Sequence, residues 1–356
     1  MRLVTIQPPS GDGADPHSRR VAVVLGSGRF LPLSMLAELA PSNMSDEIER
    51  LDLATLLALD PGLGTIREAL ELADRGALEA GAIDPSTVRL AAPIPRPGKI
   101  IGVGYNYLDH VREQGRERPA RPVLFSIFAN AVTADATPIR RPAGTHALDL
   151  EAELAVVIGR RASRVQPADG LRHVAGYTVA NDVTARDWQG QEKALRPGEK
   201  GDGQWLRAKG SDTFLPLGPA FVTADELGDG RGLAVRSWRT AAAGPNAGES
   251  SPMQDGNTAD LLFSVAELIS MISVEVTLEP GDVIVTGTPS GVGVFRDPPI
   301  FLEPGDLVKV EVERIGNLTN PVTDADGRAP DGSPAAQFIA DKAVGMPAES
   351  SARRAR

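Results

Sequence analysis

The sequence predicts an α+β fold that is rich in β-strands, with a small N-terminal α/β region. Five short runs of β-branched residues, with few helical patterns between them, support this prediction. They lie at residues 100–103, 153–158, 175–180, 283–285 and 308–312. A doubly wound parallel sheet does not fit, because that architecture requires a helix after every strand. The length of 356 residues corresponds to two domains of about 150 residues each.

The composition excludes several classes of protein. Hydrophobic residues make up 42% and charged residues 24%, as in ordinary globular chains. The net charge of −10 argues against nucleic acid or an anionic membrane as the main partner. The absence of cysteine excludes disulfides, thiolate metal sites and cysteine nucleophiles. No apolar run is long enough for a secretory signal or a membrane span, so we expect a cytoplasmic protein.

Residues 1–95 are predicted to form the small N-terminal region. Residues 19–33 have the alternation and the glycine turn of a β-hairpin. Two helices are expected after it, residues 46–59 with Ser45 as the N-cap and residues 66–79 with Thr65 as the N-cap.

A second domain is predicted over residues 96–322. The boundary falls in the proline-rich segment 92–98, which cannot continue a helix or a central strand. Two long irregular segments inside this domain, residues 187–208 and 239–258, are typical of functional lids or disordered insertions. Residues 323–356 are rich in Ala, Gly, Pro and Asp, and we expect most of them to form a flexible tail.

Several familiar motifs are incomplete in this chain. The glycines at 102–104 lack the third glycine of a dinucleotide-binding fingerprint. The glycine-rich segment 287–293 lacks the Gly-Lys-Ser/Thr ending that binds a nucleoside triphosphate. Ser290 does not lie in a Gly-x-Ser-x-Gly elbow, and the four histidines form no His-x3-His zinc pair.

A group of carboxylates is the strongest remaining candidate site. Asp149, Glu151 and Glu153 alternate with apolar residues, so a strand would place all three on one face. An ordinary solvated strand face is the alternative, but the apolar run at 154–158 is typical of a buried strand. Buried like charges repel unless a cation lies between them. Oxygen ligands of this kind suit Mg²⁺, Mn²⁺ or Ca²⁺ better than Zn²⁺.

Two further features have both a functional and a structural interpretation. Asp182 lies at the end of a predicted buried strand, where it could complete the carboxylate group or act as an N-cap. His110 and Glu113 are i, i+3 neighbours if their segment is helical. A carboxylate bonded to imidazole suits a general base, but a simple surface pair would have the same spacing.

From residue 99 to residue 322 the sequence closely resembles the small bacterial-type branch of the fumarylacetoacetate hydrolase superfamily. Five blocks in chain order carry the resemblance, and residues 254–258 and 316–322 add smaller matches. The blocks are Gly-Tyr-Asn-Tyr-Leu-Asp-His at 104–110, the carboxylate strand at 149–159, and residues 176–189, 209–219 and 281–293.

The resemblance implies a fold, a cofactor and a set of site residues. It implies a β-rich roll (a mixed β-sandwich or barrel), often a homodimer, around a divalent cation, Mg²⁺ or else Mn²⁺ or Ca²⁺. The matched positions imply Glu151, Glu153 and Asp182 as cation ligands, His110 with Glu113 as the dyad that activates water, and Lys209 as the group that faces the substrate oxyanion. Substrate contacts are implied for Tyr107, Arg186, Gln189 and Thr288.

These implications lead to one preferred function, a group of alternative reactions at the same site, and a non-catalytic alternative. We expect a metal-dependent hydrolase that cleaves a C–C bond in a 2-oxo or 1,3-dicarbonyl acid, with a small oxo acid as its binding partner. The same enolate stabilisation would serve a decarboxylase, an isomerase or a hydratase or dehydratase. A non-catalytic protein that binds a cation or an acid is less favoured, because mere binding requires neither the dyad nor the lysine.

Overall fold

A computed structural model of the protein describes residues 1–8, 18–40, 48 and 51–344. Its helices are α1 Leu33–Leu39, α2 Leu53–Leu59, α3 Gly64–Leu72, α4 Arg75–Gly81, α5 Leu108–Glu113, α6 Arg186–Gln189, α7 Trp205–Lys209, α8 Ala224–Leu227, α9 Val265–Ser273 and α10 Pro334–Val344. Its strands are β1 Arg2–Gln7, β2 Arg20–Val24, β3 Phe30–Pro32, β4 Arg89–Ala91, β5 Ile100–Gly104, β6 Val123–Ile127, β7 Val132–Thr133, β8 Ile139–Arg140, β9 Leu148–Asp149, β10 Ala152–Ile158, β11 Val174–Asn181, β12 Thr184–Ala185, β13 Leu215–Thr223, β14 Ala234–Thr240, β15 Ser250–Asn257, β16 Val283–Val285, β17 Leu307–Val312 and β18 Gly316–Thr323.

Two open sheets pack against each other as a sandwich. The larger sheet has eleven strands in the order β3-β2-β1-β13-β11-β10-β16-β5-β6, with β4 paired to β1 and β7 to β13. The smaller sheet has the order β15-β14-β17-β18-β8. Strands β10, β11 and β13 of the first sheet contact β14, β17 and β18 of the second. The predicted β-rich α+β class is therefore confirmed, and each of the five predicted strands is present.

The centre of the larger sheet is buried throughout. All seven residues of β10 are buried, and so are seven of the eight residues of β11. Such a strand has apolar side chains on both faces, which explains the continuous run at 154–158. The polar residues at the ends of β10 and β11 are therefore enclosed by a rigid core.

The N-terminal region joins the same sheet. The predicted hairpin at 19–33 is confirmed as β2 and β3, which pair antiparallel. Strand β1 pairs with β2 on one side and with β13 of the second region on the other. The pairing of β1 with β13 joins the two predicted regions into one sheet, and the domain boundary near residue 95 stays a prediction. Helix α1 directly follows the hairpin and had no assignment from the sequence.

The two predicted N-terminal helices need correction. The first begins at Leu53 in the structure, with Asp52 accepting a 2.8 Å hydrogen bond from Thr55 N; the proposed cap Ser45 lies outside the described residues. A single helix over residues 66–79 is wrong, because α3 ends at Leu72 and α4 begins at Arg75. Asp74 separates them, since its side chain caps α4 by accepting from Ala77 N at 3.0 Å.

The long segments and the tail also differ from expectation. Residues 239–258 are not irregular throughout: β14 and β15 form a hairpin with Thr240 opposite Ser250, joined by the irregular residues 241–249. Residues 187–208 do contain little regular structure besides α6 and α7. Residues 334–344, assigned to the flexible tail, form α10 against β17 and β18. None of the helices in the described part of the chain has the length and apolar character needed to cross a bilayer.

Candidate active site

The register of two central strands brings three carboxylates together. Glu151 precedes β10, Glu153 lies within it, and Asp182 directly follows β11. Antiparallel pairing places Ala152 opposite Asn181, so the acids from both strands meet at one end of the sheet. All three side chains are buried, and one oxygen from each lies within 4.8 Å of the others. The N-cap alternative for Asp182 is wrong, since α6 begins four residues later with Ala185 as its cap.

Lys209 reaches this cluster from the end of α7. Its Nζ lies 2.7 Å from Glu151 Oε2 and 2.6 Å from Asp182 Oδ2. A third hydrogen bond, 2.8 Å long, goes to Thr184 Oγ1. All three ammonium protons are therefore donated within the cluster.

Arg186 contacts the cluster from the other side. Its Nη2 lies 2.6 Å from Glu151 Oε1, and its Nε donates to Asp149 Oδ2 at 2.9 Å. Its Nη1 donates to Gln189 Oε1 at 3.0 Å. The predicted common strand face is wrong for Asp149, because the strand is interrupted between β9 and β10 and this carboxylate stays outside the cluster.

Burial and neighbouring charges shift the pKa values of the three acids in different directions. Burial raises the pKa of Glu153 well above its ordinary value, and the nearby charges of Asp182 and Glu151 raise it further. Burial also raises the pKa of Asp182 to about 6, although Lys209 opposes this shift. The pKa of Glu151 is lowered to about 2, because Lys209 and Arg186 outweigh the cost of its burial. The cluster therefore lacks enough positive charge to hold all three acids ionised.

The donor set fits a hard divalent cation. Asp182 Oδ1 is buried without a hydrogen-bond partner, and within the described residues Glu153 forms no ion pair. Glu153 Oε2 accepts the backbone N–H of Gly287 at 2.7 Å. Carboxylate oxygens are the ligands that Mg²⁺, Mn²⁺ and Ca²⁺ prefer, and a 2+ charge would compensate the excess of acids. The residues Glu151, Glu153 and Asp182 could therefore hold such an ion.

Helix α5 places an imidazole–carboxylate pair beside the cluster. His110 Nδ1 lies 2.6 Å from Glu113 Oε1, at the predicted i, i+3 spacing. Glu113 Oε2 accepts from Gly291 N at 3.0 Å, which holds the carboxylate in place. Because Nδ1–H is donated to Glu113, the neutral ring keeps an unprotonated Nε2 that can accept a proton. His110 is only 7% exposed, so this is not a surface pair.

One pocket connects these groups and has an aromatic outer wall. The cluster residues, His110, Arg186, Gln189, Lys209 and Thr288 all line it. Tyr105, Phe125 and Trp205 form the wall, with ring centroids 6.1 Å apart for Tyr105–Trp205 and 5.1 Å for Phe125–Trp205. Sequence reasoning missed this wall, because its members come from three separate elements and no local pattern relates them.

Two predicted substrate contacts have surroundings that the sequence did not indicate. Tyr107 is fully buried and does not line the pocket, whereas Tyr105, two residues earlier, does. Thr288 lines the pocket, but its hydroxyl donates to Ala152 O at 2.9 Å and accepts from Gln254 Nε2 at 2.6 Å. Both hydrogen bonds of this hydroxyl therefore go to the protein itself, and they link the segment at Thr288 to β10 and β15.

Comparisons with known proteins agree with this geometry. Residues 99–323 match the model of the fumarylacetoacetate hydrolase C-terminal family. The chain is 40% identical over 323 residues to the mitochondrial oxaloacetate tautomerase FAHD2A of Bos taurus, covering 90% of this chain and 91% of that protein. It is 41% identical over 276 residues to the mitochondrial oxaloacetate tautomerase fahd2 of Xenopus laevis, covering 75% and 81%.

Solved structures show the same architecture. The fumarylacetoacetate hydrolase of Exiguobacterium antarcticum has a TM-score of 0.69 and 31% identity, covering 91% of this chain and 99% of that one. The maleylpyruvate hydrolase of Sphingobium has a TM-score of 0.66 and 26% identity, covering 91% and 100%. With the family model spanning residues 99–323 and a relative 40% identical over nine-tenths of the chain, this chain belongs to the fumarylacetoacetate hydrolase superfamily of enzymes.

Proposed function

We propose that this enzyme is a cation-dependent tautomerase of an enolisable 2-oxo dicarboxylic acid of the oxaloacetate type. One observation carries the proposal: a proton-accepting imidazole and a buried carboxylate cluster face one pocket in a chain that closely matches oxaloacetate tautomerases over nine-tenths of its length. This narrows the sequence-based expectation, in which C–C hydrolysis came first and isomerisation was an alternative.

The carboxylate cluster would bind Mg²⁺, with Mn²⁺ or Ca²⁺ as alternatives, through Glu151, Glu153 and Asp182. When bound, this cation supplies a Lewis acid for the carboxylate and keto oxygens of the substrate. Arg186 contacts Oε1 of Glu151, so that Oε2 of the same carboxylate stays directed at Lys209 and the cluster. The protein's own share of the binding is therefore the fixed orientation of these oxygens.

His110 is placed to move the proton. In the keto form its Nε2 takes a proton from C3, the C3–H electron pair forms the C2=C3 double bond, and the C2 oxygen becomes an enolate. The same proton then goes to that oxygen and gives the enol; the reverse order gives the keto form. Glu113 keeps the imidazole in the required tautomer and stabilises its protonated form. No water is consumed in either direction.

Lys209 and the aromatic wall would favour this proton transfer. The ammonium group lies inside the cluster, where a low dielectric strengthens its attraction for the developing enolate charge. Tyr105, Phe125 and Trp205 border the pocket with apolar surface that limits the access of water. Exclusion of water favours return of the proton to the substrate over hydrolysis.

C–C hydrolysis remains the second candidate function. The His110–Glu113 dyad could equally take a proton from water, and two of the similar solved structures have hydrolase names. A homodimer and a cytoplasmic location are also retained as predictions; the two relatives compared above are mitochondrial by name.

The direct experiment follows the ultraviolet absorbance of enol oxaloacetate with Mg²⁺ or Mn²⁺ present. We expect faster conversion than in the buffer control, no pyruvate, and loss of the effect with His110→Ala. The matched control is His173→Ala, which changes a histidine that does not line the pocket and precedes β11, at the opposite end of this strand from Asp182. Cleavage of an acylpyruvate by the wild type, without tautomerisation of oxaloacetate, would favour the hydrolase instead.

A further inference from the structure

Asp149 is a buried carboxylate that the proposed mechanism does not use. It is 1% exposed and does not line the pocket. Besides Arg186, it accepts hydrogen bonds from Leu150 N at 2.9 Å, Gly293 N at 2.8 Å and Val294 N at 3.0 Å. Its charge is therefore fully compensated, which a buried acid without a task in the site would also require. Its neighbours show what it additionally does.

The first neighbour is Arg186, which lies between two acids. Its Nε is bonded to Asp149 and its Nη2 contacts Glu151, so the guanidinium plane is fixed at both edges. With Arg186 held in this way, Glu151 Oε1 is engaged and Oε2 points into the cluster toward Lys209. Removing the charge of Asp149 would weaken the hold on the Nε edge of the guanidinium, and Glu151 would be oriented less firmly.

The second neighbour is the loop that holds the proton-transfer pair. Gly293 permits the close approach of Asp149, because a Cβ at this position would lie 2.7 Å from Asp149 Oδ1 and 1.8 Å from Ile300 O. Two residues before Gly293, Gly291 N donates to Glu113. Asp149 therefore bonds both to the loop that contacts Glu113 and to Arg186, which contacts the cation ligand Glu151.

From this arrangement we infer that Asp149 is a positioning residue, which acts through Arg186 to orient Glu151 for a divalent cation and through residues 291–294 to hold the His110–Glu113 pair. The inference rests on the proposed cation site, but it does not depend on which reaction the enzyme catalyses.

The structure offers a closely matched control in Asp306. This residue is also fully buried, and it accepts from Arg239 Nε at 2.6 Å, Ala242 N at 2.8 Å and Glu303 N at 2.9 Å. It has the same kinds of donors as Asp149, but it precedes β17 and borders a different cavity. A purely structural loss should therefore be similar in Asp149→Asn and Asp306→Asn.

The test measures Mn²⁺ binding to the full chain by calorimetry, without substrate, alongside the melting temperature. Both variants should melt below the wild type, but only Asp149→Asn should raise the Kd for Mn²⁺, by about 10–100-fold. An unchanged Kd in Asp149→Asn, or an equal rise in Asp306→Asn, would overturn the inference. If Asp149→Asn does not fold, Arg186→Lys replaces it, because an ammonium group lacks the planar fork that holds Asp149 and Glu151 in a fixed relative position.

Arg186→Lys should also raise the Kd for Mn²⁺, and an unchanged Kd in a folded protein counts against the inference. A wild type that binds Mn²⁺ but does not tautomerise oxaloacetate would refute the proposed function and leave this inference intact. A wild type that does not bind Mn²⁺ would refute the inference itself.

Discussion

Lys209 and Asp182 form a buried ion pair in which Nζ lies 2.6 Å from Oδ2, and the same ammonium group lies 2.7 Å from Glu151. The lysine is therefore the main positive charge among the three acids, with Arg186 contacting only Glu151 of the three. Charges removed from water in this way are stable only while they remain paired.

Lys209→Met tests this dependence. The change leaves Asp182 without an ion-pair partner and Glu151 with Arg186 alone, so the free energy of unfolding of the metal-free protein should fall by about 3–5 kcal/mol. Mn²⁺ should recover more of the melting temperature in this variant than in the wild type. Activity should fall by about 10²–10³-fold even with Mn²⁺, because the enolate loses its nearest ammonium group.

Lys99→Met is the control for Lys209. Its Nζ is paired with the buried Asp282 at 2.7 Å, but the side chain is 36% exposed and away from the pocket. We expect a small loss of melting temperature, no added response to Mn²⁺ and unchanged activity. An equal response to Mn²⁺ in both variants would contradict the role of Lys209 in the cluster.

Glu153→Gln should have opposite effects on stability and on cation binding. Burial and two neighbouring acids oppose the charge of Glu153, whereas an amide of the same shape carries no charge. The melting temperature of the cation-free protein should therefore rise, while Mn²⁺ affinity should be largely lost. Calorimetry and thermal unfolding measure the two effects separately.

Glu151→Gln should change the melting temperature of the cation-free protein in the opposite direction. Glu151 is ionised because of its contacts with Lys209 and Arg186, so the amide loses two charged partners. This variant should lose Mn²⁺ affinity and also melt below the wild type without cation. If both variants destabilise the cation-free protein equally, the excess of negative charge that we describe is not located at Glu153.

The carboxylate cluster was predictable because strand periodicity and burial act locally. The apolar run at 154–158 identifies a central strand, and the acids at its start and after β11 follow from the sequence. The break before β10 was not predictable. There, Asn181 Oδ1 accepts a hydrogen bond from Glu151 N at 2.9 Å, and Gln254 Oε1 accepts one from Ala152 N at 3.0 Å. These distant side chains replace the strand ladder and turn Asp149 out of the cluster.

The sequence did not predict the aromatic wall, and it predicted the N-terminal helices with wrong bounds, for related reasons. Trp205 reaches Tyr105 and Phe125 only through tertiary packing, so no window of sequence contains the relationship. In the helical region, Asp74 favours a cap over a helix interior, and this preference outweighs the amphipathic pattern that extends across it. The resemblance to the family supplied the roles of Lys209 and Arg186, which periodicity could not.

The thermal response to a cation should depend on pH. In the cation-free protein, the pKa of Asp182 is raised from 3.8 to about 6, and that of Glu153 is raised as well. The folded state therefore holds protons that the unfolded chain has already released, so the free energy of unfolding falls as the pH rises from about 4 to about 6 and above. A bound cation replaces these protons and removes the penalty.

We accordingly expect the increase in melting temperature on adding Mn²⁺ to be larger at about pH 7.5 than at about pH 5. The double variant Glu153→Gln with Asp182→Asn should lose both the response and its pH dependence. A response to Mn²⁺ that is the same at both pH values would show that the cation does not compete with these protons.

Helix α10 should contribute to stability, in contrast to the expectation of an expendable tail. Ala335 is fully buried, and its N–H donates to Gly305 O at 3.0 Å. A chain that ends at Ser333 should therefore melt several degrees below one that ends at Val344. Comparing these two truncations isolates the helix from residues 345–356. Equal melting temperatures would support the original expectation for residues 334–344.

Variants of His110 and Glu113 distinguish a mechanism with proton transfer by the imidazole from one with enolate stabilisation alone. General base catalysis contributes about 10²–10⁴-fold, so His110→Ala should lose at least that much of the tautomerase rate. Mn²⁺ affinity should stay unchanged, because the imidazole is bonded to Glu113 and is not a member of the carboxylate cluster. Glu113→Gln should show a smaller loss, since the amide keeps the ring in place but no longer balances the charge of a protonated imidazole.

Decarboxylation of oxaloacetate provides the internal comparison. That reaction needs a stabilised enolate and a later proton donor, but it needs no base that removes a proton from carbon. Any pyruvate that the wild type forms should therefore persist in His110→Ala and disappear in Lys209→Met. If His110→Ala instead spares tautomerisation and abolishes pyruvate formation, the imidazole serves as a proton donor to the enolate, and the assignment of His110 as the base must be reversed.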